Sequence, residues 1–376
     1  MNGASFDVAY LSIDSIQEGV GSSQILPLVM GLASQGRKVC LVTYEKSAPR
    51  YELIDRLQKS GVVWKPREFG RIGSLGGISR LLDLRSNVPE ADVVHGRSDI
   101  PTVSAIWSQV QSPVLWDVRS LWSSQRQMIG SAGWNTFTAR GARLLENVSA
   151  KGAVAMTTLT AAVVPVLVGR HSSLPDIREV IPTCVETSKF LPSRMPGGQI
   201  VCLLSGTFNN YYDVDRTRQI IEAIRRSINL RVIWARPQES PASDLRVGED
   251  LIVSASHSEM PELVKAAHFG IAICKEDDRG SLTAAVPTKI GEFLASGRPM
   301  IVSKGLGDMD ELFKDKKAGI VVSNEDPLDQ VAAEIADLLV DPEVHLNCRN
   351  LAMEHFDMER AIIIYSNVYM KMLEKK

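Results

Sequence analysis

A chain of 376 residues exceeds the size at which one hydrophobic core usually suffices, so two domains are expected. Its 44% hydrophobic and 23% charged content is that of an ordinary globular protein. A formal net charge of −2, with aromatics neither clustered nor interleaved with basic runs, leaves no electrostatic footprint for nucleic acid.

In chain order, the expected elements are a strand at 7–13, a helix at 22–35, a strand at 38–43, helices at 51–60 and 77–85, and strands at 91–95 and 113–117. Residues 153–168 are apolar but interrupted by Thr157, Thr158, Thr160 and Pro165, and are shorter than the ~20 residues of a spanning helix. They read as a strand, a turn and a helix. Strands alternating with helices mark βαβ units around a parallel sheet. The first series, 1–182, ends near Pro182, and 183–199, with Pro192, Pro196, Gly197 and Gly198, reads as a linker. A second series opens with the strand 200–205 and runs to 356. Cys40, Cys184, Cys202, Cys274 and Cys348 form no Cys-x-x-Cys pair, and no basic-then-apolar leader is visible. A cytoplasmic protein with reduced thiols is the expectation.

The densest chemistry lies in Val286-Pro-Thr-Lys-Ile-Gly-Glu-Phe-Leu-Ala-Ser-Gly-Arg-Pro-Met-Ile-Val302. Pro287 at a first helical position leaves the amides of Thr288 and Lys289 at the positive end of a helix, where phosphate binds. Lys289 adds a cation, and one turn on Glu292 offers a carboxylate to vicinal hydroxyls such as those of a ribose. Ile290, Phe293 and Leu294 would bury the opposite face. The competing reading is an ordinary helix with Lys289 and Glu292 solvated.

In the first half, Glu18-Gly-Val-Gly21-Ser22-Ser23-Gln24 follows a strand and precedes a helix that Ser22 or Ser23 would cap. It lacks the third glycine of a dinucleotide fingerprint, which argues against a nicotinamide site; a plain tight turn is the alternative. His95-Gly-Arg97-Ser98 and Asp117-Val-Arg119-Ser-Leu-Trp122 emerge at C-terminal strand ends, where open parallel sheets bind ligands. Asp117 and Arg119 form either a structural ion pair or part of a site in which Arg119 holds a hydroxyl or phosphate and Trp122 stacks on a sugar; a histidine such as His95 is more often structural. Asp213-Val-Asp215 and Asp308-Met-Asp310 fit an Asp-x-Asp metal pattern, but each sits where a helix begins, so capping is the expected role and no metal is required.

The segment 286–302 resembles the family 4 glycosyltransferases, and so do Gly305-Leu-Gly-Asp-Met-Asp-Glu311, Gly319-Ile-Val-Val322 and the turn and helix from Glu259. That resemblance implies an α/β GT-B fold, two Rossmann-like domains facing each other across a cleft, with 357–376 returning to the first domain. It implies a metal-independent retaining transferase that takes a UDP- or GDP-sugar, needs no further cofactor, and acts on a glycan or lipid-linked acceptor in envelope or surface-polysaccharide synthesis. A peripheral contact with the inner face of the membrane is compatible. The implied donor-binding residues are Gly21, Ser22, Met260, Arg279, Thr288, Lys289 and Glu292; the acceptor-binding residues are Arg97, Arg119 and Trp122. The implied catalytic set is His95, Asp117, Arg119 and Lys289. Two departures stand out. Ala284 takes the place of a frequent first glutamate, and 205–213 contain no Arg or Lys, so phosphate binding leans on Lys289 with Arg279 or Lys275. A nucleotide-sugar epimerase and an inactive binding subunit are the alternative functions.

Overall fold

Alternating runs of β-branched residues and helix formers fold into two parallel sheets in the computed structural model, which describes residues 6–124, 134–208, 211–237, 248, 250–276 and 280–375. The chain divides into two compact units, one of residues 1–182, 279–284 and 358–376, the other of 183–278 and 285–357.

The first unit holds seven strands: β1 (Phe6–Leu11), β2 (Val39–Glu45), β3 (Val62–Glu68), β4 (Ala91–Arg97), β5 (Val114–Val118), β6 (Ala155–Thr158) and β7 (Ile177–Val180). Their order is β3-β2-β1-β4-β5-β6-β7, and the sequence order reverses direction at β1 and β4, the kind of point where such sheets bind ligands. β2 and β5 are buried at every residue because helices cover both faces. Register places Tyr10 opposite His95 and Arg97 opposite Asp117. β3 was not evident from the sequence: Pro66 and alternating exposed residues confine it to the sheet edge, where a missing ladder donor is harmless. The last helix, Met358–Glu374, packs on Leu26–Ser34 within this unit.

The second unit holds β8 (Ile200–Ser205), β9 (Leu230–Arg236), β10 (Leu251–Ser254), β11 (Phe269–Ala272), β12 (Met300–Ser303) and β13 (Gly319–Val322), in the order β10-β9-β8-β11-β12-β13. Its core gathers Leu204, Ile220, Ile224, Val232, Trp234, Phe269, Ile271 and Ile335. The Pro/Gly-rich stretch 183–199 is no free tether but a strap on this unit. Fully buried Arg298 donates to the carbonyls of Ser193, Arg194 and Lys265, and Arg349 donates to those of Thr187, Phe190 and Ala295. Two guanidinium forks thus satisfy backbone carbonyls that have no ladder partners.

Candidate functional site

The helix Thr288–Ala295 follows β11 and precedes β12. Pro287 is its N-cap, with φ −58° and ψ 133°, so the first helical residue is Thr288, one later than the sequence suggested. The Pro287 carbonyl accepts from the Ile290 amide at 3.0 Å, and Thr288 and Lys289 are the first residues at the helix's positive end. Every residue from Lys289 to Ala295 is buried, which excludes the solvated reading of Lys289 and Glu292.

Lys289 is only 9% exposed, and its Nζ lies 4.5 Å from the ring centre of Tyr212 and 5.5 Å from that of Phe208. Among the described residues no carboxylate lies within ion-pair distance of it. Both rings come from 205–213, the stretch without Arg or Lys; aromatic faces stand there instead and offset part of the ammonium's desolvation. Phe208 meets Trp234 edge-on at 5.6 Å, and the Trp234 indole N–H donates to the Gly206 carbonyl at 2.9 Å. Gly206 has φ +86°, a conformation open to glycine, and a β-carbon there would lie 4.0 Å from the ammonium.

Glu292 is 6% exposed, and burial pushes its carboxyl up to about 7 against the downward pull of Lys289. Its Oε1 lies 3.6 Å from Nδ1 of His257, an imidazole whose own pKa burial lowers. Nothing in the spacing singled out His257, which approaches from a turn 35 positions upstream of Glu292. Because the folded carboxyl holds a proton that the unfolded one releases, it lowers stability as pH climbs from about 4 toward 7. Glu292→Gln should therefore stabilise the protein at about pH 8, by at most on the order of 3 kcal/mol, and do nothing near pH 4. Thermal melts at the two pH values test this; equal effects at both would show that burial of the charge is not what Glu292 contributes.

Met260, 8% exposed, starts the helix Met260–Ala266, just after a capping box between Ser256 and Glu259. Arg279 lies outside the described residues. Lys275 is exposed, with its amide bonded to the Tyr211 carbonyl. Asp213 caps its helix, accepting from the Arg216 amide at 2.8 Å. Asp308 occupies an N-cap position but makes no capping bond; Asp310, inside the first turn, accepts instead from the Gly305 amide. No cluster of three or more metal-ligating side chains occurs among the described residues.

In the first unit, the strand ends gather a buried charge cluster. Asp117, 1% exposed, accepts from the Thr157 hydroxyl at 2.9 Å and the Tyr365 hydroxyl at 3.3 Å through Oδ1. Arg119 Nη1 stands 3.6 Å from that oxygen, while Oδ2 faces His95 Nε2 at 3.3 Å and Arg97 Nη1 at 3.9 Å. Burial alone would raise this carboxyl, but Arg119, His95 and Arg97 hold it well below the usual carboxylate range. Arg97 also donates to Asp14 at 3.2 Å; burial pulls its pKa down, yet Tyr10, Asp14 and Asp117 raise it above its ordinary value. Arg97 and Arg119 each donate to the same oxygen of Gln24, at 2.7 and 2.8 Å. Sequence reasoning missed Gln24; its place in the turn at 21–25 was the available signal.

Two expectations change here. His95 is completely buried, with Tyr10 and Tyr365 at ring distances of 4.2 and 5.2 Å and Nδ1 on the Tyr369 hydroxyl at 2.7 Å. It has no face on which to touch a substrate, so its effect runs through Asp117. Ser22 and Ser23 do not cap: a π-type turn, Gly21–Ile25, carries the helix past them, and both hydroxyls donate back to the Gly19 carbonyl. Gly21 is needed because a β-carbon there would lie 1.9 Å from the Ser15 carbonyl oxygen. Trp122 is half-buried and packs on Leu81, Ile100 and Val103.

Residues 199–341 match the family model described as "Glycosyl transferases group 1". No curated protein matches the chain significantly. Sucrose-phosphate synthase from Thermosynechococcus elongatus superposes with a TM-score of 0.73 at 14% identity, over 99% of this chain and 100% of that one. Anabaena Alr3699/HepE in complex with UDP and glucose gives 0.68 at 14% identity, over 97% and 100%. WaaG, a glycosyltransferase involved in lipopolysaccharide biosynthesis, gives 0.65 at 15% identity, over 95% and 99%. Two Rossmann-like units with parallel sheets, similar in kind to these structures, give the chain the GT-B fold, and the group 1 glycosyl transferase match covers residues 199–341 of it.

Proposed function

We propose that the protein is a retaining, metal-independent glycosyltransferase of family 4 that moves a sugar from a nucleoside-diphosphate donor to a glycan or lipid-linked acceptor. The observation that carries this reading is Lys289, a buried ammonium at a helix N-terminus with aromatic faces but no carboxylate beside it among the described residues. Such a cation is matched by an anion arriving from outside, and a diphosphate fits both the ammonium and the amides of Thr288 and Lys289. Glu292 takes the ribose hydroxyls, and Met260 lies toward the base. As the glycosidic bond to the β-phosphate breaks, Lys289 and the helix stabilise the charge on the leaving diphosphate. The acceptor hydroxyl attacks the anomeric carbon on the same face and passes its proton to a phosphate oxygen, so no protein nucleophile is assigned.

Residues 200–356 carry the donor role and 1–182 the acceptor role, where Arg119 and Arg97 orient the acceptor and Asp117 fixes both. The UDP complex of Alr3699/HepE favours a UDP-sugar over a GDP-sugar, and the role of WaaG favours an envelope polysaccharide. For the membrane contact we assign Ile72, Leu75, Ile78 and Leu82, each more than half exposed along Gly73–Ser86, with Arg71 and Arg85 at its ends. No described helix is long and apolar enough to cross a bilayer. Ile78→Glu with Leu82→Glu should abolish co-sedimentation with anionic vesicles; binding that persists removes this face.

The primary test is a thermal-shift series with UDP, GDP, ADP, CMP and dTDP, with and without magnesium, followed by transfer assays with the nucleotide that binds. At ~100 times its dissociation constant the right nucleotide adds about 2.7 kcal/mol to apparent stability, independent of magnesium. A shift without transfer or donor hydrolysis would indicate a binding subunit, an isomerised nucleotide sugar an epimerase, and no shift at all would overturn the donor site.

A further inference from the structure

The last helix reaches the buried cluster through two tyrosines that the reading above leaves unused. Tyr365 donates to Asp117 Oδ1 at 3.3 Å, and the Tyr369 hydroxyl lies 2.7 Å from His95 Nδ1. Neither ring has solvent access to speak of, at 2% and 0% exposed, and the two stack 6.3 Å apart. Asp117 Oδ2 sits 3.3 Å from His95 Nε2, close but not aligned as a hydrogen bond. A lone pair on Nε2 would be repelled by an ionised oxygen 3.3 Å away, whereas an N–H is attracted to it even off axis, so Nε2 carries the hydrogen. His95 is fully buried among two guanidinium groups and burial lowers its pKa, so the ring has one proton to place. With that proton on Nε2, Nδ1 is an acceptor, and the hydroxyl that meets it must donate.

We infer that Tyr369 is a positioning residue: its O–H holds neutral His95 in the Nε2–H tautomer facing Asp117, and Tyr365 anchors the other carboxylate oxygen, so that Asp117 keeps Arg119 and Arg97 in the geometry the acceptor meets. The tautomer follows from the cluster alone, whereas the effect on the acceptor rests on the proposed transfer reaction.

Nitrogen-15 spectra of the histidine rings in the full chain test the first part. Wild-type His95 should show an acceptor-type Nδ1 and a protonated Nε2. Tyr369→Phe keeps the ring and removes the hydroxyl, and should shift Nδ1 and let the second tautomer appear. A wild-type ring protonated on Nδ1, or ring signals unmoved by Tyr369→Phe, overturns the inference, and the wild-type spectrum decides it even if the variant folds poorly. In transfer assays, Tyr369→Phe and Tyr365→Phe should each raise the acceptor KM about five- to ten-fold, the effect of one lost buried hydrogen bond. The UDP-induced thermal shift should stay unchanged. If kcat and the UDP shift fall together while acceptor KM holds, the tyrosines are merely structural. If the spectra behave as expected but no acceptor is ever glycosylated, the tautomer stands and the transferase reading fails.

Discussion

Lys289→Met should abolish the UDP-induced thermal shift while leaving the melting temperature of the free protein unchanged or higher. Methionine keeps the volume and the contact with Tyr212 and Phe208 but removes a buried ammonium that, among the described residues, meets ring faces and no ion-pair partner. In the free protein that charge is a burden, since desolvating a cation without a counter-ion is unfavourable. On the proposed reading it meets a diphosphate in the complex, and a charge-assisted contact of that kind is worth about 3 kcal/mol, or roughly a hundred-fold in affinity. Opposite signs for stability and binding separate a ligand site from a structural ion pair, whose loss weakens both. A variant that melts several degrees lower and still binds UDP would remove Lys289 from the donor site.

Asp117→Asn should be the most destabilising isosteric change in the first unit. The amide cannot balance Arg97 and Arg119, and uncompensated buried charges cost about 3–5 kcal/mol. The pH dependence follows from the depressed carboxyl. Its folded pKa lies below the unfolded value of ~3.9, so its stabilisation is fully present above about pH 4. It fades as pH falls through the folded value. Wild type and Asp117→Asn should therefore differ by a constant amount across neutral pH and converge in strong acid. Denaturant titrations at several pH values measure this, and a difference under 1 kcal/mol at neutral pH would mean that the two guanidiniums are balanced elsewhere, with Asp14 the first alternative.

What the sequence discloses is local and periodic. The strands at β1, β2, β4 and β5 and the helix at 288–295 were legible because apolar runs and Pro/Gly punctuation repeat at the right spacing. β3 was not, since an edge strand carries Pro66 and solvent-facing charges without penalty. The pairing of Lys289 and Glu292 was legible because one helix turn holds both. Their neighbours were not: Phe208, Tyr212 and His257 come from distant turns, and only the fold brings their rings to the ammonium and the carboxyl. The same holds for Gln24 and for Tyr365 and Tyr369 around Asp117, which come from opposite ends of the sequence. The role of Ser22 was misplaced because a π-type turn before Leu26 moves the helix start upstream, which propensity does not encode.

The first unit takes its final helix from the far end of the chain, so it is not a continuous stretch of sequence. During synthesis, everything from Phe6 to Pro182 leaves the ribosome while His95 and Asp117 still lack two of their hydrogen-bonding neighbours, and the whole second unit is made before those arrive. A nascent or prematurely terminated product therefore carries a second unit that can fold while the first still has unfinished buried charges, and the cluster around Asp117 closes only once the helix Met358–Glu374 has docked.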